Sequence, residues 1–371
     1  MDAEIPLRPF TMLVGPNGSG KTTVLQAVEL LGALVRSSIA EHLESHGWEY
    51  ADLPHLRSRT SRFGIAARVR VGDERLKWEV ELGARRYAGV AVERVTRLGA
   101  ASTVLMEREG RTMWRLDERT GEKEQVRQSL GGSWLSTLDL EEDDERFPSL
   151  VALARWAHSI RGHLFLDPVR LRAPDRGDPE DIGSNGEHLA PFLARLRERD
   201  RKAFDALVDR VRTHYPRLIE LHPKRTGYGW TQLEVTEKWN GEKATFNARQ
   251  VSDGLLRLVA VAAMHDVREP TSVLLLDEIE NGMHPHLLGG LISMLQESVE
   301  RSKRPEQAIV TTHSPIGLNF TRDPHSVLVV TRRGGRTTIR PLAQAPKFDQ
   351  LREHFDLGEL WYNLGEEKLT S

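Results

Sequence analysis

The stretch Gly15-Pro16-Asn17-Gly18-Ser19-Gly20-Lys21-Thr22 constrains this 371-residue chain more than any other. It fits G-x-x-x-x-G-K-[ST], the phosphate-cradling P-loop. The flanks supply the context that the pattern needs. Phe10-Thr11-Met12-Leu13-Val14 reads as a short buried strand, and Thr23-Val24-Leu25-Gln26-Ala27-Val28 opens a helix. A strand, a glycine turn and a helix N-terminus bring several backbone N–H groups around one anion. Gly15, Gly18 and Gly20 let the backbone curl close to phosphate oxygens. Pro16, Asn17, Ser19 and Thr23 complete the cradle. Lys21 supplies a positive charge for the β- and γ-phosphates, and the Thr22 hydroxyl faces Mg²⁺. The competing reading is a chance glycine loop, against which the strand before it and the helix after it both argue.

Composition bounds the rest. With 39% hydrophobic and 29% charged residues the chain can build a core and stay soluble. A formal net charge of −2 argues against a tail-driven nucleic-acid binder but leaves room for a local basic groove. The absence of cysteine excludes disulfides, thiolate catalysis and Cys-ligated zinc. No apolar run approaches the roughly 20 residues of a membrane span. Asp2 and Glu4 come too early for a signal peptide. A cytoplasmic protein with no membrane partner is expected.

Residues 1–36 hold the P-loop strand and its helix. Leu25, Val28, Leu30, Leu31 and Leu34 make that helix apolar over much of its circumference. His42 and His46, four apart, leave two readings, a metal pair or, given Glu41 and Glu44, a solvated face. Residues 62–116 change to a period of two, with turns at Gly72-Asp73 and Glu109-Gly110. They predict an antiparallel meander with Trp78 and Trp114 in its core. Residues 117–148 are polar, and Glu141–Glu145 reads as a solvated acidic loop.

Residues 149–247 predict a helical and mixed insertion. Leu164–Pro168 reads as a strand stopped by proline, and Glu187 to His214 as one or two helices. The outer face of those helices carries Arg195, Arg197, Arg199, Arg201, Lys202, Arg210 and Arg212, with Glu198, Asp200, Asp205 and Asp209 interleaved. It is either a basic face for a phosphate backbone or a solvated surface. Trp230–Val235 and Lys243–Phe246 predict two strands joined through Asn240-Gly241.

Residues 248–345 return to the chemistry. Ser252 has N-cap character before an apolar helix, and Gly254 allows close approach, so this is a second helix start able to face an anion. A plain capped core helix is the alternative. Val273-Leu274-Leu275-Leu276-Asp277-Glu278 reads as a strand buried on both faces and ending in two carboxylates. Asp277 is placed to hold Mg²⁺ beside Thr22. Glu278 is the candidate to orient and deprotonate an attacking water. Ala308–Thr312 predicts a further buried strand, after which His313 is placed to sense a γ-phosphate oxygen.

Four quoted stretches together resemble a known group. They are the P-loop, Ser252-Asp253-Gly254 with Arg257, Asp277-Glu278-Ile279-Glu280-Asn281-Gly282-Met283-His284-Pro285, and Thr311-Thr312-His313-Ser314-Pro315. Their order is similar to that of the ABC-type ATPase heads of the SMC, RecF and OLD group. It most resembles RecF-like ATPases with an S-D-G signature, a D-E-x-E-N-G-x-H-P extension and a T-T-H-S-P switch. The tail Leu357-Gly358-Glu359-Leu360-Trp361, within residues 346–371, looks like that family's too. The resemblance covers nearly the whole chain.

It implies a single α/β head over residues 1–371, with a mixed central sheet, an antiparallel β-meander and a helical subdomain. It implies a head-to-tail homodimer with ATP and Mg²⁺. Each ATP would lie between Lys21 of one subunit and Ser252 and Gly254 of the other, an arrangement that closes as a C2 dimer. Asn281–His284 would be the loop where the subunits touch, a role preferred over metal binding for His284 and His286.

There are departures from the family pattern. Met1 lies so close to Gly15 that the usual preceding strand is expected to be truncated, or to begin upstream. No Gln occurs between Gln26 and Gln125, so the Q-loop glutamine is absent or replaced. Ile279 stands where many relatives have proline. No sustained heptads predict a coiled-coil arm. The chain ends at Ser371, too soon after His313 for a compact domain of the usual ~100–150 residues. The nuclease domain of OLD proteins is therefore expected to be missing.

The resulting expectation is an ATP-hydrolysing switch in DNA-related work, anti-phage defence or repair, controlling a separately encoded effector such as a nuclease. Direct contact with DNA is left open. The alternatives are the ATP-binding subunit of a membrane transporter and a low-turnover, ATP-dependent assembly protein.

Overall fold

The structure, a computed structural model, describes residues 3–50, 62–83, 89–127, 130–163, 166–267, 271–302 and 305–362. The chain divides into two compact units, residues 1–25 with 161–371 and residues 26–160.

The first unit opens with β1 (Phe10–Val14), buried at every position, then the P-loop and the start of α1 (Lys21–Arg36). The second unit takes the rest of α1. Ser38 and Glu41 form a reciprocal capping box that starts α2 (Ile39–His46), and Gly47 at φ 66° ends it. Neither sequence reading of His42 and His46 describes what is found. His42 is buried, its ring lies 4.5 Å from that of His46, and the His46 ring lies 4.7 Å from that of Trp48. His46 Nε2 is 3.7 Å from Glu29. Among the described residues no group of three or more such side chains could hold a metal ion.

The meander follows: β2 (Arg62–Val71), β3 (Glu74–Gly83), β4 (Gly89–Arg97), β5 (Thr103–Glu109), β6 (Thr112–Leu116) and β7 (Lys123–Arg127), each antiparallel to the next. It runs one strand further than residues 62–116. Lys123-Glu124-Gln125-Val126-Arg127 has a single apolar residue, so periodicity does not mark it. Pairing of Met113 with Val126 and Trp114 with Gln125 holds it as an edge strand. Trp78 is fully buried, whereas Trp114 is half-buried beneath the Lys123 ammonium, 3.6 Å from the ring centroid.

Glu93 is buried but fully used. It accepts from Trp78 Nε1 at 2.9 Å, from the Ser133 hydroxyl and from the Trp134 N–H at 2.9 Å. Burial nevertheless pushes its carboxyl up. Residues 139–145 form a mostly exposed turn in which Asp144 pairs with Arg155 at 3.1 Å. The turn leads to α3 (Pro148–His158), with Leu150, Val151, Leu153, Ala154 and Ala157 inward.

The chain returns to the first unit as β8 (Arg161–His163). The strand read at Leu164–Pro168 falls partly outside the described residues; in its described part, residues 166–168, the chain passes into a helix. Asp167 caps that helix, α4 (Pro168–Arg172), accepting the Val169 N–H at 2.8 Å. β9 (Asp175–Arg176) follows. The helical stretch resolves into α5 (Leu189–Arg199) and α6 (Arg201–His214), divided at Asp200, whose carboxylate accepts the Ala203 N–H.

A second sheet holds β9, β10 (Leu218–Arg225), β11 (Trp230–Trp239) and β12 (Glu242–Asn247). Asn240 and Gly241, both at positive φ, make the tight turn between β11 and β12. α7 (Asp253–Met264) is buried over ten of its twelve residues.

Then come β13 (Val273–Leu276), α8 (Pro285–Glu297), β14 (Gln307–Thr312), α9 (Pro315–Leu318), β15 (Val327–Arg333), β16 (Arg336–Pro341) and α10 (Phe348–Arg352). The central sheet has the order β16-β15-β1-β14-β13-β8, parallel except for β16. This is the expected mixed sheet. Its inner strands are apolar runs because both faces are covered. Register pairs Val14 with Thr312 and Leu276 with Val310. The C-terminal ends of β1, β14 and β13 therefore lie side by side.

Candidate active site

In an open parallel sheet, loops leaving the C-terminal strand ends form the natural crevice. Three of them meet here: the P-loop after Val14, the carboxylates after Leu276 and His313 after Thr312. Gly15 runs so close to β15 that a Cβ would fall 2.0 Å from the Val330 carbonyl oxygen. Gly18 and Gly20 take φ values of 73° and 108°, which side chains resist. The Ser19 hydroxyl is buried without a hydrogen-bond partner, although the Ser19 carbonyl accepts from Thr337 at 2.9 Å. Lys21 folds over the loop and donates to the carbonyls of Gly15 at 2.8 Å and Pro16 at 3.0 Å.

Thr22 Oγ1 donates to Asp277 Oδ2 at 2.8 Å. The Thr311 hydroxyl donates to the other Asp277 oxygen and accepts the Glu278 N–H at 2.8 Å. Thr311 is fully buried. One side chain thus holds both carboxylate residues, a role that motif reading missed although Thr311 stands in the quoted T-T-H-S-P. Glu278 sits at φ 47°, an unfavourable region for a non-glycine residue. That twist comes two residues after the last residue of the buried strand.

Asn281 donates to Glu278 Oε2 at 2.6 Å, and Glu280 accepts the His313 N–H. His313 Nδ1 lies 3.4 Å from Lys21 Nζ, and its Nε2 lies 3.8 Å from Glu278 Oε1. Lysine can only donate, so this geometry favours the tautomer with the proton on Nε2, facing Glu278. An open cleft of about 510 Å³ is lined by Asn17, Glu278, Glu280, Asn281 and His313.

These residues fit ATP and Mg²⁺. An unpaired buried hydroxyl lies inside the phosphate loop. Thr22 and Asp277 present adjacent hard oxygens of the type Mg²⁺ prefers.

Ser252 and Gly254 stand at the start of α7, in the same unit. The Ser252 hydroxyl accepts the Leu255 N–H at 3.3 Å and caps α7. Gly254 packs on Gly282, Met283 and Leu287; a Cβ there would lie 2.9 Å from Leu287 Cδ1. His284 Nδ1 accepts the His286 N–H at 3.4 Å, so His284 caps α8.

Much of the basic face on α5 and α6 is matched by carboxylates. Arg195 pairs with Glu180 at 2.7 Å, Arg199 with Asp178 at 2.6 Å and Arg201 with Asp205 at 2.9 Å; Arg210 pairs with Asp266 and Arg212 with Asp209. That supports the solvated reading.

Residues 10–318 match the family described as "AAA domain, putative AbiEii toxin, Type IV TA system". This chain belongs to that family. An OLD nuclease from Thermus scotoductus is 57% identical over 30 residues, 8% of this chain and 6% of that protein. The match therefore spans a small fraction of that relative's length. Both findings agree with the OLD-like ATPase resemblance in the motifs.

Among solved structures, an SMC head bound to the C-terminal winged-helix domain of ScpA has 16% identity and a TM-score of 0.49, covering 91% of each chain. An Smc head with an extended coiled coil, bound to ScpA's C-terminal domain and derived from Pyrococcus furiosus, has 13% identity and a TM-score of 0.48, covering 94% of each. The SMC head from Thermotoga maritima has 14% identity and a TM-score of 0.39, covering 91% of this AAA-family chain and 92% of that one. Among the described residues no helix is long and apolar enough to cross a membrane.

Proposed function

We propose that this AAA-family chain binds ATP with Mg²⁺, hydrolyses it, and works as a head-to-tail homodimeric switch. It would control a separately encoded effector in DNA-related work, either anti-phage defence or repair. One observation carries the enzymatic reading: Lys21, Thr22, Asp277, Glu278 and His313 converge at the ends of three neighbouring strands.

Bound Mg²⁺ would supply charge neutralisation at the phosphates, held by Thr22 and Asp277. The loop N–H groups of residues 17–23 and the Lys21 ammonium would hold the phosphate oxygens. Glu278 Oε2 is engaged by Asn281, which leaves Oε1 to take a proton from water. His313, with its proton on Nε2, would donate to a phosphate oxygen in the same cleft. Ser252 and Gly254 cap and open α7, and would serve the partner's ATP rather than their own subunit's. The family description and the short OLD-nuclease likeness support the defence or repair setting.

ATP turnover by the purified chain, with Glu278→Gln beside it, tests this. The parent should turn over ATP. The variant should bind ATP, lose at least about a hundredfold in rate as expected for a lost general base, and accumulate as a dimer in sedimentation. Equal turnover by the two chains would remove Glu278 as the base.

A further inference from the structure

The first helical residue of α7 is Asp253, beside the Ser252 and Gly254 that the proposed dimer turns toward a partner's ATP. A bare carboxylate at that position would repel a triphosphate. Arg172, from α4, answers it. Its guanidinium forms an ion pair with Asp253 and also donates to the Val251 carbonyl at 2.9 Å. On its other side Asp253 rests against Gly282, where a Cβ would lie 3.3 Å from Oδ2. Arg257, one turn along α7, acts on the same carboxylate but also on Asp167, Glu278 and Glu280, so its charge is shared. Among the described residues, Arg172 is the cation in direct contact with Asp253.

We infer that Arg172 is a positioning residue of this face: by cancelling the charge of Asp253, it lets Ser252 and Gly254 accept the ATP phosphates of a partner subunit. This inference rests on the head-to-tail dimer proposed above. It differs from a purely architectural tie between α4 and α7 in one respect. If the pair only held two helices together, removing either partner would do equal harm. If charge cancellation is what matters, removing Asp253's charge is harmless and makes Arg172 dispensable.

The test measures the ATP-dependent monomer–dimer midpoint by analytical ultracentrifugation, in full-length chain carrying Glu278→Gln, with Mg²⁺. Nucleotide affinity of the monomer is measured alongside, as a check that the phosphate loop is intact. Arg172→Ala should raise the midpoint by about tenfold or more, as like charges brought together at an interface are strongly disfavoured, with monomer ATP affinity within about twofold of the background. Asp253→Asn alone should dimerise at least as tightly as the background. Asp253→Asn added to Arg172→Ala should restore the midpoint.

A weakened Asp253→Asn single variant overturns the inference, even if Arg172→Ala fails to fold. So does a double variant that is not restored, or an Arg172→Ala chain that dimerises normally. A background chain that binds ATP yet never dimerises removes the dimer proposal itself, and this inference with it.

Discussion

At the residue scale, the site depends on groups that catalytic motifs do not highlight. Thr311 supplies one hydroxyl to two neighbours, so Thr311→Val leaves Asp277 Oδ1 and the Glu278 N–H without that partner. Thr311→Val should lower stability by about 1–3 kcal/mol, and reduce kcat for ATP far more than it raises KM. Thr311→Ser should restore most of both in steady-state assays and urea unfolding. Gly358 is a case of tight packing rather than of site chemistry. It donates to Asn319 Oδ1 at 2.6 Å, and a Cβ there would lie 2.2 Å from the Pro315 carbonyl oxygen. The contact is with the backbone of Pro315, the first residue of α9 and two residues after His313, and backbone cannot step aside cheaply. Gly358→Ala should cost about 1–3 kcal/mol by overpacking, read as a lower urea midpoint with unchanged slope.

At the element scale, α1 and α2 contain a pH-dependent device. Burial, then the charges of His46 and Arg36, lower His42 from the ordinary histidine range to about 4. The folded chain therefore keeps His42 neutral, while the unfolded chain protonates it below pH ~6.5. Between those values the unfolded state binds more protons, so stability falls as pH drops from about 6.5 to 4 and levels off below. The full effect is on the order of 2–3 kcal/mol. Melting temperature measured from pH 7 to pH 5 should fall in the parent and fall less in His42→Gln. Glu29 works in the opposite sense, since burial raises its carboxyl and its protonation favours the fold as pH falls. A His42→Gln chain with the parent's full slope would assign the effect to other groups.

At the scale of the whole molecule, the proposed ATP site is a linkage device. A ligand that binds only the folded chain stabilises it by about 2.7 kcal/mol at a hundred times its Kd. ATP with Mg²⁺ should therefore raise the melting temperature of the parent and leave that of Lys21→Ala unchanged, because the ammonium proposed to hold the phosphates is lost. The paired arginines of α5 and α6 lead to a separate expectation. Arg199→Ala with Arg201→Ala should leave any DNA stimulation of turnover within about twofold, the range of exposed ion pairs. A collapse of stimulation in that variant would restore the basic-face reading.

Local chemistry was enough to reveal the glycine loop between β1 and α1, the buried strands that lead into Asp277 and His313, the capped start of α7 and most of the meander. Each is written in adjacent residues, as glycine spacing, an unbroken apolar run or a period of two. Other features needed the folded chain, because their partners are far apart in sequence. Lys123–Arg127 is a strand only because β6 offers it a ladder. His42 is buried in the folded chain, with the His46 and Trp48 rings beside it. Thr311 reaches two carboxylate residues across a strand boundary, and Arg172 meets Asp253 from another helix. The outer face of α5 and α6 reads in sequence as either a basic or a solvated surface, and the carboxylates of Asp178, Glu180 and Asp266, from other parts of the chain, favour the second. Sequence spacing records which groups share an element, whereas charge compensation and burial depend on which elements meet.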